Sequence, residues 1–238
     1  MISHLHLEIL PQPNDVTCGP TCLQAIYRYF GDDISLAQTI AEVPMLEEGG
    51  TLAALLANHA LRRGYSANLY TYKLQLFDPT WFDGQHDLAE RLRAQMAVKT
   101  DAKLHAASRA YLDYLRLGGK VLYKDLTGEL IRGYLRRNIP ILVGLSATYL
   151  YGTPREYGPD CLDDDLRGEP LGHFVVLCGD NRAAKTVRIA DPMRNNPVAG
   201  ESFYEVPMTR LICAIMLGVL TYDANLLILQ PGPARERS

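Results

Sequence analysis

Residues 15–22 read DVTCGPTC, two cysteines, a glycine and a proline in eight positions. Three chemistries fit such a segment: a nucleophilic thiol at the head of a helix, half of a metal site, or two buried thiols beside a tight turn. Cys18 directly precedes Gly19-Pro20. Proline suits the first turn of a helix, where its missing N–H costs nothing. The pattern from Gly19 to Phe30 therefore predicts a helix, with Gly31 as its stop. A thiol at this start meets the positive end of the helix dipole and the unpaired N–H groups of the first turn. Both favour the thiolate, which is the nucleophile. Gly19 removes a side chain that would crowd an approaching substrate. An inert, buried cysteine fits the same segment equally well, so partners elsewhere decide.

A thiolate nucleophile needs an imidazole beside it and a group that holds the imidazole. Of the six histidines, His4 and His6 lie on the polar side of an alternating segment, and His59, His86 and His105 lie in amphipathic helical stretches. His173 differs: it follows a glycine at the mouth of an apolar strand, LGHFVVLCG. This strand and KTVRIAD flank the turn DNRAA. A turn centred on Arg182 would set Val175 against Ile189, Leu177 against Val187 and His173 against Asp191. Facing side chains on one side of a hairpin have Cβ atoms roughly 5 Å apart. Asp191 would then fix the tautomer and orientation of His173, as the acidic member of a triad does; alone, Asp191-Pro192 also reads as a simple strand terminator. Gln12, in a proline-bounded loop six residues before Cys18, carries an amide able to donate to a developing oxyanion alongside the Cys18 N–H. By itself it reads as a polar loop residue.

Other chemistries find less support. Cys18 and Cys22 form C-x-x-x-C, but Cys161, Cys178 and Cys213 are isolated, and zinc wants further ligands at comparable spacing. Cys22 lies one helical turn beyond Cys18, where it is expected to be buried beside it; a redox pair is the alternative. DCLDDDLRGEP (160–170) gathers four aspartates and a glutamate just before His173. It reads as a solvated acidic loop placed to rim a cleft, with calcium binding or selection of a basic substrate as further options. Gly49-Gly50 and Gly118-Gly119 are explained by helix termini. Ser146, in GLSATYLYG, lacks the glycine-flanked elbow of a hydrolase.

The elements that must position these residues follow from periodicity. HLHLEIL (4–10) alternates as a half-buried strand and is broken by LPQPND, whose two prolines exclude a central ladder. Helices are expected at 36–41 and 49–64, the latter with Thr51 as N-cap and Gly64 as terminator. A strand follows at 65–74. Residues 78–135 read as a helical insertion, with two helices ended by Gly118-Gly119 and a third around 126–138. IPILVGLSATYLY (139–151) is a buried strand, followed by a loop at 152–172, the two hairpin strands, an apolar helix near 208–218 and a last strand at 225–230. The tail PGPARERS is expected to fray. Helices early and strands late give α+β, with helices packed on a mostly antiparallel sheet. The length of 238 residues, 47% apolar and 21% charged, suits one globular domain with an insertion. A net charge of −3 gives no nucleic-acid footprint. No signal peptide is visible, LICAIMLGVL is too short to span a bilayer, and five cysteines form no disulfide framework. These features predict a cytoplasmic chain with reduced thiols and no membrane partner.

The segments QPNDVTCGPTCLQAIYRYFG and GHFVVLCGDNRAAKTVRIADP together resemble the papain-like cysteine peptidases. More narrowly, they resemble the double-glycine (bacteriocin leader) peptidases, the thirty-ninth cysteine-peptidase family. The family's order of Gln, Cys-Gly-Pro, aromatic-Gly, Gly-His and Asp-Pro is met by Gln12, Cys18-Gly19-Pro20, Phe30-Gly31, Gly172-His173 and Asp191-Pro192. His173 lies 155 residues beyond Cys18, near the spacing of papain-like enzymes. The resemblance covers about residues 3–75 and 139–230. It implies a papain-like α+β fold, attack by Cys18 on a peptide or peptide-like amide, a thioester intermediate hydrolysed by water, and no cofactor. The same triad suits acyl or aminoacyl transfer, and a non-catalytic peptide-binding module would keep the same fold. Residues 78–135 are longer than this pattern expects, and no membrane-spanning region follows, whereas many such peptidases are fused to an exporter.

Overall fold

A computed structural model describes residues 2–46, 49–158 and 160–232. The elements run β1 (Ile2–His4), α1 (Cys18–Tyr29), α2 (Leu36–Glu42), α3 (Ala53–Arg62), β2 (Tyr65–Thr71), α4 (Leu88–Val98), α5 (Ala102–Arg116), β3 (Lys120–Leu122), α6 (Gly128–Leu135), β4 (Ile141–Ser146), α7 (Ala147–Tyr151), β5 (Glu156–Tyr157), β6 (Leu162–Asp163), β7 (Gly172–Asn181), β8 (Thr186–Ala190), β9 (Phe203–Pro207), α8 (Met208–Leu217) and β10 (Asn225–Pro231). Eight strands form one sheet in the order β3-β2-β10-β4-β7-β8-β9, with β1 also paired to β7. Every described pairing in it is antiparallel except β2 with β3. The expected α+β class with a mostly antiparallel sheet is the observed one.

β7 organises the sheet. All of its residues but the two ends are buried, as a continuous apolar run bounded by turn signals requires. β4 pairs along 172–177 and β1 along 179–181, while β8 takes 176–181. α1 packs on β7, α3 on β2, and α8 on β4, β8 and β9. The first ten residues of α1 are all buried, the mark of a helix inside a core rather than on a surface. Its end is a Schellman motif: Asp32 N donates to Tyr27 O, Gly31 N donates to Arg28 O, and Gly31 has φ +77°.

Several boundaries depart from the sequence reading. The alternation at 4–10 holds in burial, with Leu5 and Leu7 inside and His4, His6 and Glu8 outside, but the regular strand ends at His4. Thr51 does not cap α3. Leu52 occupies that position, and the Thr51 hydroxyl donates to the Pro44 carbonyl. The buried strand at 139–151 turns into α7 after Ser146, whose hydroxyl accepts from Tyr149 N. β3, β9 and the small β5–β6 hairpin were not anticipated. The expected fraying of 233–238 lies outside the described residues.

The β7–β8 register also differs. The turn spans 182–185 with Lys185 at φ 58°, and the ladder shifts between Leu177 and Gly179. Leu177 faces Ile189 and Val176 faces Ala190. A four-residue loop and a bulge therefore replace the tighter turn around Arg182, and His173 and Asp191 are no longer directly opposed.

The middle of the sheet admits no extra atom at Gly144 in β4. A Cβ there would lie 2.1 Å from the backbone oxygen of Asp223, which no rotamer change can move. Gly144→Ala is expected to destabilise the fold by about 1–3 kcal/mol. Urea unfolding checks this: a midpoint equal to that of wild type would show that the 223 turn is not fixed against β4.

Candidate active site

His173 is the second residue of β7, and Asp191 follows the last residue of β8. Their contact survives the altered register because they remain diagonal neighbours at the open end of the hairpin. His173 Nε2 and Asp191 Oδ1 are 2.9 Å apart, and both residues are buried. Asp191 Oδ1 also accepts from Met193 N at 2.9 Å. Its other oxygen, Oδ2, accepts from the Tyr151 hydroxyl at 2.8 Å and the Tyr204 hydroxyl at 2.7 Å. Tyr151 ends α7 and Tyr204 sits in β9, so neighbouring elements on both sides of the hairpin aim donors at one carboxylate.

Cys18 is the first residue of α1 and is 9% exposed. Thr17, which precedes it, makes no side-chain cap bond, so the N–H groups of Cys18 and Gly19 keep the unpaired character of a helix start. Cys18 lies close enough to the His173 ring to help raise it. Because Nε2 is engaged by Asp191, Nδ1 is the ring nitrogen left for the thiol. Cys18 and His173 line one cavity of about 520 Å³.

Burial of His173 works against its charge. The adjacent Asp191 carboxylate outweighs burial through its charge and hydrogen bond, Cys18 adds to the effect, and the imidazolium is carried up to about 10. Burial likewise works against the Asp191 carboxylate. His173, the Tyr204 hydroxyl and the Met193 N–H overcome this and hold the acid below its ordinary range. Burial and the nearby Asp191 push both tyrosines up, so they stay protonated donors. Cys22 is fully buried with its S–H toward the Phe174 carbonyl at 3.2 Å, and burial first, then the nearby Cys18 and Asp191, raises it.

Gln12 is held beside this group, with its N–H donating to Pro192 O at 2.8 Å. Its side-chain Nε2 donates to Asn14 O at 3.0 Å, its Oε1 is buried without a partner, and it does not line the cavity. The other histidines are elsewhere. His59 bridges the Tyr27 hydroxyl and Glu42, His86 contacts Arg91, and His105 bonds the Lys99 carbonyl. Among the described residues no group of three or more metal-ligating side chains converges, and no helix is long and apolar enough to cross a membrane. From the acidic loop, Glu169 reaches the cavity, while Asp164 is spent on the Leu166 and Arg167 N–H groups and the Arg167 side chain.

Tyr151, Tyr204 and Asp223 were not anticipated from sequence. Tyr204 had a readable signal, because SFYEVP alternates like the short strand it forms. Tyr151 and Asp223 reach the site by tertiary placement alone.

The model of the Peptidase_C39 like family matches residues 4–208. No curated protein matches the chain. Among solved structures, a C39-like peptidase from Bacillus anthracis is 14% identical with a TM-score of 0.48, covering 97% of this chain and 98% of that one. The peptidase domain of Streptococcus ComA, a bi-functional ABC transporter involved in a quorum-sensing pathway, is 15% identical with a TM-score of 0.44, covering 95% and 99%. Xylellain, a cysteine protease from Xylella fastidiosa, is 13% identical with a TM-score of 0.45, covering 97% and 85%.

The two ends of the buried pair respond oppositely to pH. His173 is raised above its ordinary 6.5, so its contribution to stability is complete below about 6.5 and is lost as the pH rises through about 10. Asp191 is depressed, so its contribution is present above the ordinary carboxylate range and lost in acid. Thermal melts of wild type and His173→Gln should therefore differ most near about pH 6 and converge toward about pH 10. A gap that stays constant or widens over that range would contradict the pairing.

Proposed function

Since the chain belongs to the Peptidase_C39-like family, we propose that it is a cysteine peptidase or amidase whose nucleophile is Cys18. The observation that carries this reading is the arrangement around one ring: His173 bonds Asp191 through Nε2, leaving Nδ1 for a thiol at the start of a buried helix.

In this reading the Cys18 sulfur attacks the carbonyl carbon of a peptide or peptide-like amide, and the carbonyl π electrons move onto oxygen. The Cys18 N–H and the Gln12 amide donate to that oxygen. For Gln12 this requires turning the amide from Asn14 toward the cavity. The tetrahedral species collapses, the C–N bond breaks, and His173 gives its proton to the departing amine. Water then attacks the thioester with His173 as base, releasing the acid and restoring the thiol. Asp191 keeps the ring oriented and stabilises its cationic form, while Tyr151 and Tyr204 keep Asp191 in place. The chain works as one papain-like domain in the cytoplasm, with residues 78–135 inserted between the two parts of the site.

Labelling with iodoacetamide near neutral pH tests the nucleophile. Cys161 and Cys213 are exposed, whereas Cys18 is nearly covered, so access alone would label the former first. Cys18 is expected to alkylate fastest, and His173→Ala to slow it. Labelling that follows exposure would sink the assignment. Once a substrate is in hand, Cys18→Ala should abolish turnover and Asp191→Asn should lower kcat about 10²–10⁴-fold. A variant at 191 with unchanged kcat would remove Asp191 from the reaction.

A further inference from the structure

The reaction uses one wall of the 520 Å³ cavity. Asp223, between α8 and β10, supplies another. It is 7% exposed and still lines the cavity. A Cβ at Gly172 would lie 1.9 Å from Asp223 Oδ2, so the carboxyl presses against the backbone of the residue preceding His173. The Thr221 hydroxyl, which donates to the Gly218 carbonyl at 3.2 Å, faces Gly172 as well.

A buried carboxylate beside an open cavity needs a reason. Burial pushes Asp223 up to about 6, with the charges of Lys73, His173 and Lys103 opposing the rise. Lys73 does not saturate it. The Lys73 Nζ is buried with no hydrogen-bond partner and stands 5.2 Å over the Tyr222 ring. Asp15 and Glu169 add negative charge to the lining, where Lys103 and His173 are the basic residues. Leu52 and Phe174 give the same cavity apolar wall, against which the alkyl stem of a long basic side chain can lie.

We propose that this cavity is a specificity pocket, and that Asp223 at its inner end selects a peptide side chain carrying an ammonium or guanidinium group. The proposal rests on the cleft receiving a peptide, and its test separates binding from cleavage. Fluorescein-labelled hexapeptides of alanine and glycine, with Arg, Lys, Leu or Glu scanned through each position, are titrated against the full-length Cys18→Ala protein by anisotropy. At one position, Arg and Lys should bind about tenfold tighter than Leu, with Glu weakest. Asp223→Asn in the same background should erase that preference, and Asp223→Arg should transfer it to Glu. Equal affinity for all four residues at every position would overturn the proposal, as would a cation preference that survives Asp223→Asn. The same peptides are offered to the protein with Cys18 intact. Selective binding without cleavage supports the pocket and sinks the reaction, whereas cleavage without selectivity sinks the pocket alone.

Discussion

A carboxylate taken out of water must have its charge and its lone pairs answered, or it protonates. Asp191 is fully buried and meets this demand with four donors: an imidazole, a backbone N–H and two phenols. The donors come from β7, from the turn after β8, from α7 and from β9. Each element has to be in place for the charge to be tolerated, and once they are, the imidazole has no freedom left. The orientation of His173 is a by-product of solving a desolvation problem. With both Asp191 oxygens engaged, a ring flip would cost the hydrogen bond that keeps the carboxylate ionised.

The sulfur is placed by a different force. α1 is buried nearly throughout and anchored on β7, the strand that also carries His173 near its start. Thiol and imidazole therefore ride on two elements in direct packing contact, neither of them a free loop. Such placement holds reacting groups more tightly than loop-borne residues can. The third attachment is the strap of residues before α1, where Gln12 bonds the Pro192 carbonyl and ties the approach to the helix to the chain just after Asp191.

Much of this was legible beforehand because it is local. Proline in a first turn, Gly31 after an apolar helix, and a glycine before a histidine at a strand mouth are short-range signals with short-range causes. Cys18, His173 and Asp191 could be singled out on those grounds; His173 bonds Asp191, and Cys18 lines the same cavity as His173. The hairpin register was misread because Lys185 adopts a left-handed conformation that nothing in DNRAAK demands and because a bulge interrupts β7 at Cys178. Contact survived because a diagonal neighbour on a sheet is still within reach of an imidazole. Tyr151, Tyr204 and Asp223 carry no local mark of their role. A tyrosine at the end of a short helix becomes a donor to a charge forty residues away only through the assembled sheet.

The sheet has one further property. β2 and β3 pair with each other, β4 and β7 to β9 form a second group, and only β10, the last of the described strands, joins them. During synthesis, the helix bearing the sulfur and the hairpin bearing the imidazole are made with no strand bridging the flanking groups. That seam closes when residues 225–231 leave the ribosome and insert between β2 and β4. Pairings between such distant parts of a chain form late. Of the described strands, the one made last is thus the one that holds the two parts of the sheet together.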